Sequence, residues 1–216
     1  MKNNRHSILL NTALTHHNQG KIDLADKIYL EVLSQDPENI TANQLHGIAL
    51  CQKAKYDVAI PYLEKAYKMD EKNYEVNNNL GLAYKGIRSF DISKKYFLNA
   101  IKIDSNNFRA YFNYANLLSD NELYDEAIQY FHITSEKKPD FPDPYERIGV
   151  MYRSKYMKDK TNKEILLGAI PYLEKCLEIN PSFRSATVNL ALFNLWLNNI
   201  DKSTQYFKDG FSLLHS

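Results

Sequence analysis

One seven-residue segment occurs twice in this chain without change, and it fixes the spacing of a longer repeat. Residues 59–65 and residues 169–175 both read Ala-Ile-Pro-Tyr-Leu-Glu-Lys. The offset of 110 residues equals three periods of 34 plus eight residues. A fixed period of about 20 to 50 residues indicates one supersecondary unit stacked on the next. The period therefore divides the chain into six units, at 6–39, 40–73, 74–107, 108–141, 142–183 and 184–216.

Four positions of this repeat keep one kind of side chain in all six units. One small-residue column holds Ala13, Gly47, Gly81, Ala115, Gly149 and Ala191, and a second holds Ala25, Ala59, Ser93, Ala127, Ala169 and Ser203. Four residues after the second column stand Tyr29, Leu63, Phe97, Phe131, Leu173 and Phe207, and a turn-preceding column holds Ile22, Tyr56, Phe90, Tyr124, Leu166 and Ile200. Antiparallel helices approach closely only where side chains are small, and a residue four positions on lies on the same helical face. Each unit is therefore predicted to be a helical hairpin.

The period and the small-residue columns resemble those of the tetratricopeptide repeat family over residues 6–216. The bulky aromatic of the family's first helix is retained only as Tyr111 and Tyr145. The resemblance implies an all-α fold, a right-handed superhelical solenoid of antiparallel helix pairs whose first helices line a concave groove. Residues 1–5 would then be an N-terminal tail, and residues 6–216 a single solenoid.

The charge and hydropathy of the chain argue against several classes of partner. The 27 basic side chains nearly balance the 26 acidic ones, which leaves a net charge of +1 and no strong field to recruit nucleic acid. No apolar stretch approaches the roughly 20 residues of a membrane span, and the N-terminus lacks the apolar core of a signal peptide. We therefore predict a cytoplasmic protein that neither inserts into membranes nor binds nucleic acid.

No motif of an enzyme or a cofactor site occurs in the sequence. The glycines do not form a phosphate-binding loop, and the G-x-S-x-G, H-E-x-x-H and C-x-x-C patterns are absent. His16, His17, His46 and Cys51 fall on neighbouring first helices, where packing in the core is favoured and a zinc site is the alternative. Cys51 and Cys176 lie too far apart in a linear stack for a disulfide, so both are predicted to be reduced. We predict no enzymatic activity and no cofactor.

The first helices share one column that the resemblance places in the groove. The column reads Asn11, Leu45, Asn79, Asn113, Arg147 and Asn189. An amide both donates and accepts hydrogen bonds, so a row of Asn can pair with the backbone of an extended peptide, as in the similar asparagine ladder of O-linked N-acetylglucosamine transferases. The predicted partner-binding residues are Asn11, Asn78, Asn79, Phe112, Asn113, Asn116 and Arg147.

Two features depart from the regular repeat. The fifth unit carries eight extra residues, and its segment 153–160 contains four basic side chains and one acidic one. This insertion is predicted to lengthen both helices of the hairpin, and it is either a solvated loop or a secondary docking site through Arg153, Lys155, Lys158 and Lys160. The last helix places Phe207, Phe211 and Leu214 on one face, which makes self-association through uncapped terminal helices a further possibility.

The favoured function is a non-catalytic scaffold that binds an extended or helical segment of a client protein. A second possibility is an array that recruits substrates for a glycosyltransferase or sulfotransferase module, because the stretch from Ala25 to Pro37 resembles arrays of that kind. A third is a self-assembling scaffold.

Overall fold

The structure is a computed structural model that describes the backbone of residues 2–212 and the side chains of residues 5–210. Over this part of the chain every regular element is an α-helix. The helices are α1 (Lys2–Asn18), α2 (Ile22–Gln35), α3 (Ile40–Gln52), α4 (Tyr56–Met69), α5 (Tyr74–Gly86), α6 (Phe90–Ile103), α7 (Phe108–Asp120), α8 (Tyr124–Lys137), α9 (Asp143–Lys158), α10 (Glu164–Ile179), α11 (Arg184–Trp196) and α12 (Ile200–Ser212). Residues 2–5, assigned to a tail from the sequence, continue α1.

The two helices of each repeat pack against each other, and the twelve helices divide into two compact units. The first unit, Met1–Ser105, contains α1 to α6, and the second, Asn106–Ser216, contains α7 to α12. In the first unit α2 also packs on α3 and α4 on α5, while α3 contacts both α1 and α5. In the second unit α8 packs on α9, α10 on α11 and α9 on α11. The all-α class of paired helices predicted from the repeat is confirmed.

Asparagine caps the first helix of three repeats. The side chains of Asn39, Asn73 and Asn107 accept hydrogen bonds of 3.0–3.2 Å from backbone N–H groups in the first turns of α3, α5 and α7. These bonds satisfy donors that a helix start leaves unpaired. The second helices α2, α4 and α6 lack such a cap, but their second residue is an aspartate that complements the helix dipole: Asp23, Asp57 and Asp91.

The helices of a pair touch where the small-residue columns meet. A methyl group added at Gly81 would lie 2.5 Å from the ring of Phe97, so α5 and α6 approach closely at this point. Ser93 on α6 donates a hydrogen bond of 2.7 Å to the carbonyl of Gly81, which satisfies a buried hydroxyl. The same close approach recurs at two other pairs, Gly47 with Leu63 and Gly149 with Leu173.

A buried polar network joins the first two repeats. His46 on α3 is 4 % exposed, and its Nδ1 lies 2.6 Å from a carboxylate oxygen of Asp26 on α2. Lys53 binds the other oxygen of Asp26 at 3.0 Å and also Asp23 at 2.8 Å. The ring of Tyr62 meets the imidazole edge-on at 4.4 Å. Burial lowers the pKa of His46, although the charge of Asp26 opposes that effect.

The insertion lengthens the fifth hairpin, as predicted. Its helices α9 and α10 have 16 residues each, whereas those of the fourth repeat have 13 and 14. Tyr156, in the added turn of α9, is 6 % exposed and stacks on Trp196 of α11 at 5.3 Å. Phe193 stacks on the same indole at 5.9 Å. The added turn therefore packs against the sixth repeat.

Replacing Gly81 by alanine should destabilise the protein, because the new methyl group collides with Phe97. We expect Gly81→Ala to lower the free energy of unfolding by about 1–3 kcal/mol, the usual cost of overpacking. Gly168→Ala is the matched control, since its methyl group would meet only Tyr152 at 3.9 Å; it should be neutral or stabilising by about 0.5–1 kcal/mol. Urea unfolding followed by circular dichroism measures both, and a Gly81→Ala protein as stable as wild type would contradict the close approach.

The buried imidazole should make stability depend on pH. Because burial holds the pKa of folded His46 below its unfolded value of about 6.5, the unfolded chain binds more protons as the pH falls. The resulting stability is present above about pH 6.5 and is lost below it, with a slope of at most about 1.4 kcal/mol per pH unit. His46→Leu, which copies Leu80 of the next repeat, should flatten this slope in urea unfolding measured from about pH 5 to 8. Equal slopes in both proteins would refute the assignment.

Removing Tyr156 should loosen the junction between the last two repeats. We expect Tyr156→Ala to cost about 3 kcal/mol of unfolding free energy, as for other large buried aromatic rings. Trp196 is the single tryptophan, so its fluorescence should shift to longer wavelength when the stacked ring is lost. Met157→Ala is the control, because that side chain is 50 % exposed. An unchanged emission in Tyr156→Ala would show that the ring does not shield the indole.

Candidate functional site

The predicted asparagine row is not an open ladder in the first unit. Asn78 and Asn79 on α5 are only 6 % and 7 % exposed. The side-chain amide of Asn79 donates a hydrogen bond of 2.8 Å to the carbonyl of Glu75 in its own helix. Of the three predicted residues in this unit, only Asn11 on α1 is exposed.

Asn11 lines a polar cavity of about 470 Å³ beside the turn between α2 and α3. Asp36, Glu38 and the capping residue Asn39 line the same cavity. His6 contributes a buried imidazole, whose Nε2 lies 3.4 Å from the side-chain oxygen of Gln35. The two carboxylates suit a ligand with hydrogen-bond donors or a positive charge.

Three aromatic rings cluster at the start of the second unit. Phe112, a predicted site residue on α7, lies 5.1 Å from Phe141 in the turn before α9. Phe108 lies 5.3 Å from the same ring, and Phe131 packs under Phe112 at 5.6 Å. Phe108, Phe112 and Phe141 are partly exposed, whereas Phe131 is fully buried. We call these three partly exposed rings the phenylalanine cluster.

Polar site residues lie on the two helices that flank this cluster in sequence, α7 and α9. Asn113 follows Phe112 on α7 and is partly exposed. The amide of Asn116 donates a hydrogen bond of 2.8 Å to the carbonyl of Phe112. On α9, which starts just after Phe141, the Arg147 side chain is 48 % exposed, and its Nε lies 3.9 Å from Glu146. The guanidinium is therefore open to solvent.

Arg153 and Glu146, both on α9, form hydrogen bonds with residues of the sixth repeat. Arg153 on α9 donates a hydrogen bond of 2.7 Å to the side-chain oxygen of Asn189 on α11, which is 1 % exposed. The carboxylate of Glu146, 6 % exposed, accepts a hydrogen bond from the hydroxyl of Ser185. Asn189 and Arg153 therefore link the fifth repeat to the sixth.

The lysines of the inserted segment also have partners within the chain. Lys155 pairs with Asp125, and Lys158 binds Glu122 at 2.7 Å while it lies 4.7 Å above the ring of Tyr124. The Lys158 ammonium lowers the pKa of Glu122, and the carboxylate raises the pKa of Lys158. Lys160 is exposed. The segment thus ties the fifth hairpin back to the fourth, and docking through it stays a prediction.

The arrangement in the second unit suits a polypeptide ligand. Aromatic rings take up apolar side chains, amides such as Asn113 pair with a backbone, and a guanidinium such as Arg147 binds a carboxylate bidentately. We call the phenylalanine cluster with Asn113, Asn116 and Arg147 the α7–α9 patch.

The sequence analysis did not identify Phe108 and Phe141 as members of this patch. A signal was available for Phe141, because it occupies the last position of its repeat, where Asn39, Asn73 and Asn107 cap the next helix. A phenylalanine in place of a capping amide gives up a helix cap, but Phe183 does the same at the end of the fifth repeat and packs against the core there, so this signal alone does not distinguish Phe141.

Three of the four residues in the zinc alternative, His17, His46 and Cys51, have other contacts, whereas Nδ1 of His16 is buried without a hydrogen-bond partner. His17 Nδ1 lies 3.0 Å from the hydroxyl of Tyr29, and His46 belongs to the network with Asp26. Both cysteines are buried and unbonded to each other, and burial raises the pKa of each thiol to about 12. Among the described side chains no three potential metal ligands come together.

Several solved structures are similar to this chain. MamA is 24 % identical with a TM-score of 0.65, over 82 % of this chain and 92 % of that one. YrrB, described as a tetratricopeptide protein with an unusual peptide-binding site, is 24 % identical with a TM-score of 0.62, over 82 % and 88 %. PilF of Pseudomonas aeruginosa is 14 % identical with a TM-score of 0.76, over 95 % and 90 %. These likenesses show the fold alone.

No curated protein matches the chain by sequence. None of the described helices combines the length and apolar character needed to cross a membrane.

Family models of the tetratricopeptide repeat match the chain itself. One matches residues 6–39, 40–73 and 74–107, which are the first three units obtained from the period. Another matches residues 96–129, so that together they span 6–129, more than half of the 216 residues. The chain belongs to the tetratricopeptide repeat family.

Proposed function

We propose that the protein is a non-catalytic scaffold that binds an extended or helical segment of a client protein on the α7–α9 patch. The observation that carries this proposal is the phenylalanine cluster, which leaves three aromatic rings partly exposed, with an exposed arginine on the helix that starts just after one of them. Single exposed apolar residues are ordinary, but grouped rings next to polar groups are typical of interaction sites.

The chemistry of the patch defines the client segment. Phe112 and Phe141 supply a rigid apolar surface at low cost in conformational entropy, which suits an aliphatic or aromatic anchor residue. Arg147 keeps most of its donors available, so it would bind a client carboxylate in a charge-assisted pair. The expected ligand is a segment with an apolar anchor and an acidic group nearby. The unusual peptide-binding site described for YrrB agrees with a role of this kind for the fold.

The test is crosslinked capture of partners from native lysate with wild type and the double variant Asn113→Ala, Arg147→Ala. The variant should lose partners that wild type retains, because it removes a backbone-pairing amide and the exposed guanidinium. The matched control is Asn162→Ala with Arg184→Ala, which deletes the same two groups at exposed positions elsewhere in the second unit. All three proteins should melt alike by circular dichroism. Equal capture by all three would refute the patch as the binding site.

Other functions predicted from the sequence stay proposals. In the recruitment of substrates for a glycosyltransferase or sulfotransferase module, the chain would be either a fragment of such an enzyme or a stand-alone relative, and a reading frame that continues past Ser216 would favour the fragment. Self-assembly is the second candidate, because Ile8 is exposed and Phe207 partly exposed, whereas the residues at their positions in the other repeats are buried. The side chains of Phe211 and Leu214, predicted to share a face with Phe207, lie outside the described residues. The cytoplasmic location and the exclusion of nucleic acid are likewise predictions.

A further inference from the structure

Consecutive repeats within each unit join through one recurring contact. The third, seventh and tenth residues of a repeat pack at the junction with the preceding repeat. The side chains at these positions are all buried. They are Ala42, His46 and Ala49; Val76, Leu80 and Ala83; Pro144, Ile148 and Met151; and Ala186, Leu190 and Phe193. The spacing places the three side chains on one face of the first helix. We call this the entering face.

The preceding repeat receives this face mainly on its second helix, and the fifth and twelfth residues of its first helix bind beside it, at the second and sixth residues of the next repeat. Cys51, a twelfth residue, directs its thiol at the carbonyl of Asn79 in the next repeat, at 3.7 Å. Arg153, also a twelfth residue, bonds to Asn189 of the next repeat. Glu146, a fifth residue, bonds to the next repeat through Ser185. We call this the receiving face.

The first repeat carries an entering face that is open to solvent. Ile8, its third residue, is 60 % exposed, and Thr12 and Thr15, its seventh and tenth, are exposed as well. The threonine hydroxyls donate to the carbonyls of Ile8 and Asn11, at 3.0 and 2.9 Å. Because these donors are already satisfied, burying the face would leave no threonine hydroxyl unpaired.

The last repeat carries a receiving face that is also open and is apolar. Val188, its fifth residue, is 39 % exposed and Leu195, its twelfth, is 44 % exposed. The equivalent Cys51 and Glu146 are 7 % and 6 % exposed. Phe207 is partly exposed, although its counterparts in the five earlier repeats are fully buried.

We propose that these two faces bind each other between copies, so that the entering face of one chain packs on the receiving face of a second chain. Ile8, Thr12 and Thr15 would take the places that Ala186, Leu190 and Phe193 take against the fifth repeat. Neither face places a charged side chain at these positions, so the contact buries no unpaired charge. It is a heterologous, head-to-tail contact, and it adds copies without closing unless the rotation between copies forms a ring. This inference deepens the self-assembly candidate and rests on it, but it uses none of the α7–α9 patch, so its failure would leave client binding untouched.

Three single variants of the 216-residue chain test the proposal by sedimentation equilibrium. The average mass of wild type should rise with concentration, whereas Ile8→Glu and Leu195→Glu should each remain at the mass of one chain. Each variant keeps one intact face, so an equimolar mixture of the two should form a species of twice the chain mass. Val58→Glu is the control, because Val58 is 46 % exposed on a second helix, and it should associate like wild type.

Three outcomes would overturn the proposal. The first is a wild-type mass that does not depend on concentration. The second is an Ile8→Glu protein that still dimerises while Leu195→Glu does not, which would indicate two receiving faces paired symmetrically. The third is a mixture of the two variants that stays at the mass of one chain. Unchanged helicity of each variant by circular dichroism separates these outcomes from a failure to fold.

Discussion

The close approach of the two helices in each repeat is the constraint on which the other contacts depend. At Gly81 the helices are so near that a single methyl group would lie 2.5 Å from the Phe97 ring. The hydrogen bond from Ser93 to the carbonyl of Gly81 fixes the register at the same crossing. A pair held in this way presents one fixed set of side chains to each neighbour, so every junction within a unit can use the same positions.

The junctions share this register but differ in the polar pairs that they contain. The first junction places His46 against Asp26 at a position that the next repeat fills with Leu80. The last junction is bridged by the bond from Arg153 to Asn189. A buried polar group without its partner is costly, and such pairs therefore disfavour a shifted register more strongly than an apolar contact of equal area does.

The helical hairpins and their crossing points follow from the sequence, because the small and large columns recur at every unit. The sharp turns could not be predicted from the sequence. Ala54, Arg88 and Glu122 adopt left-handed backbone conformations that glycine usually occupies, as Gly20 does. Chain connectivity between closely packed helices imposes that geometry whatever the residue. The binding site could be predicted only in part, because burial depends on packing that the repeat pattern does not show. A column indicates which face Asn79 occupies, but its burial depends on side chains of neighbouring helices that no periodicity reveals.

The ion pairs within the chain determine which basic side chains remain available to bind an acidic partner. Lys155 and Lys158 already hold Asp125 and Glu122, so an acidic ligand at the insertion would gain new pairs only by breaking existing ones. Surface pairs contribute little singly, and an exchange of one for another leaves little net affinity. Arg147 has only a distant contact with Glu146, and it lies on α9, which starts just after Phe141. A carboxylate that binds Arg147 would add an interaction without breaking an existing close ion pair, and this difference favours the α7–α9 patch over the more basic insertion.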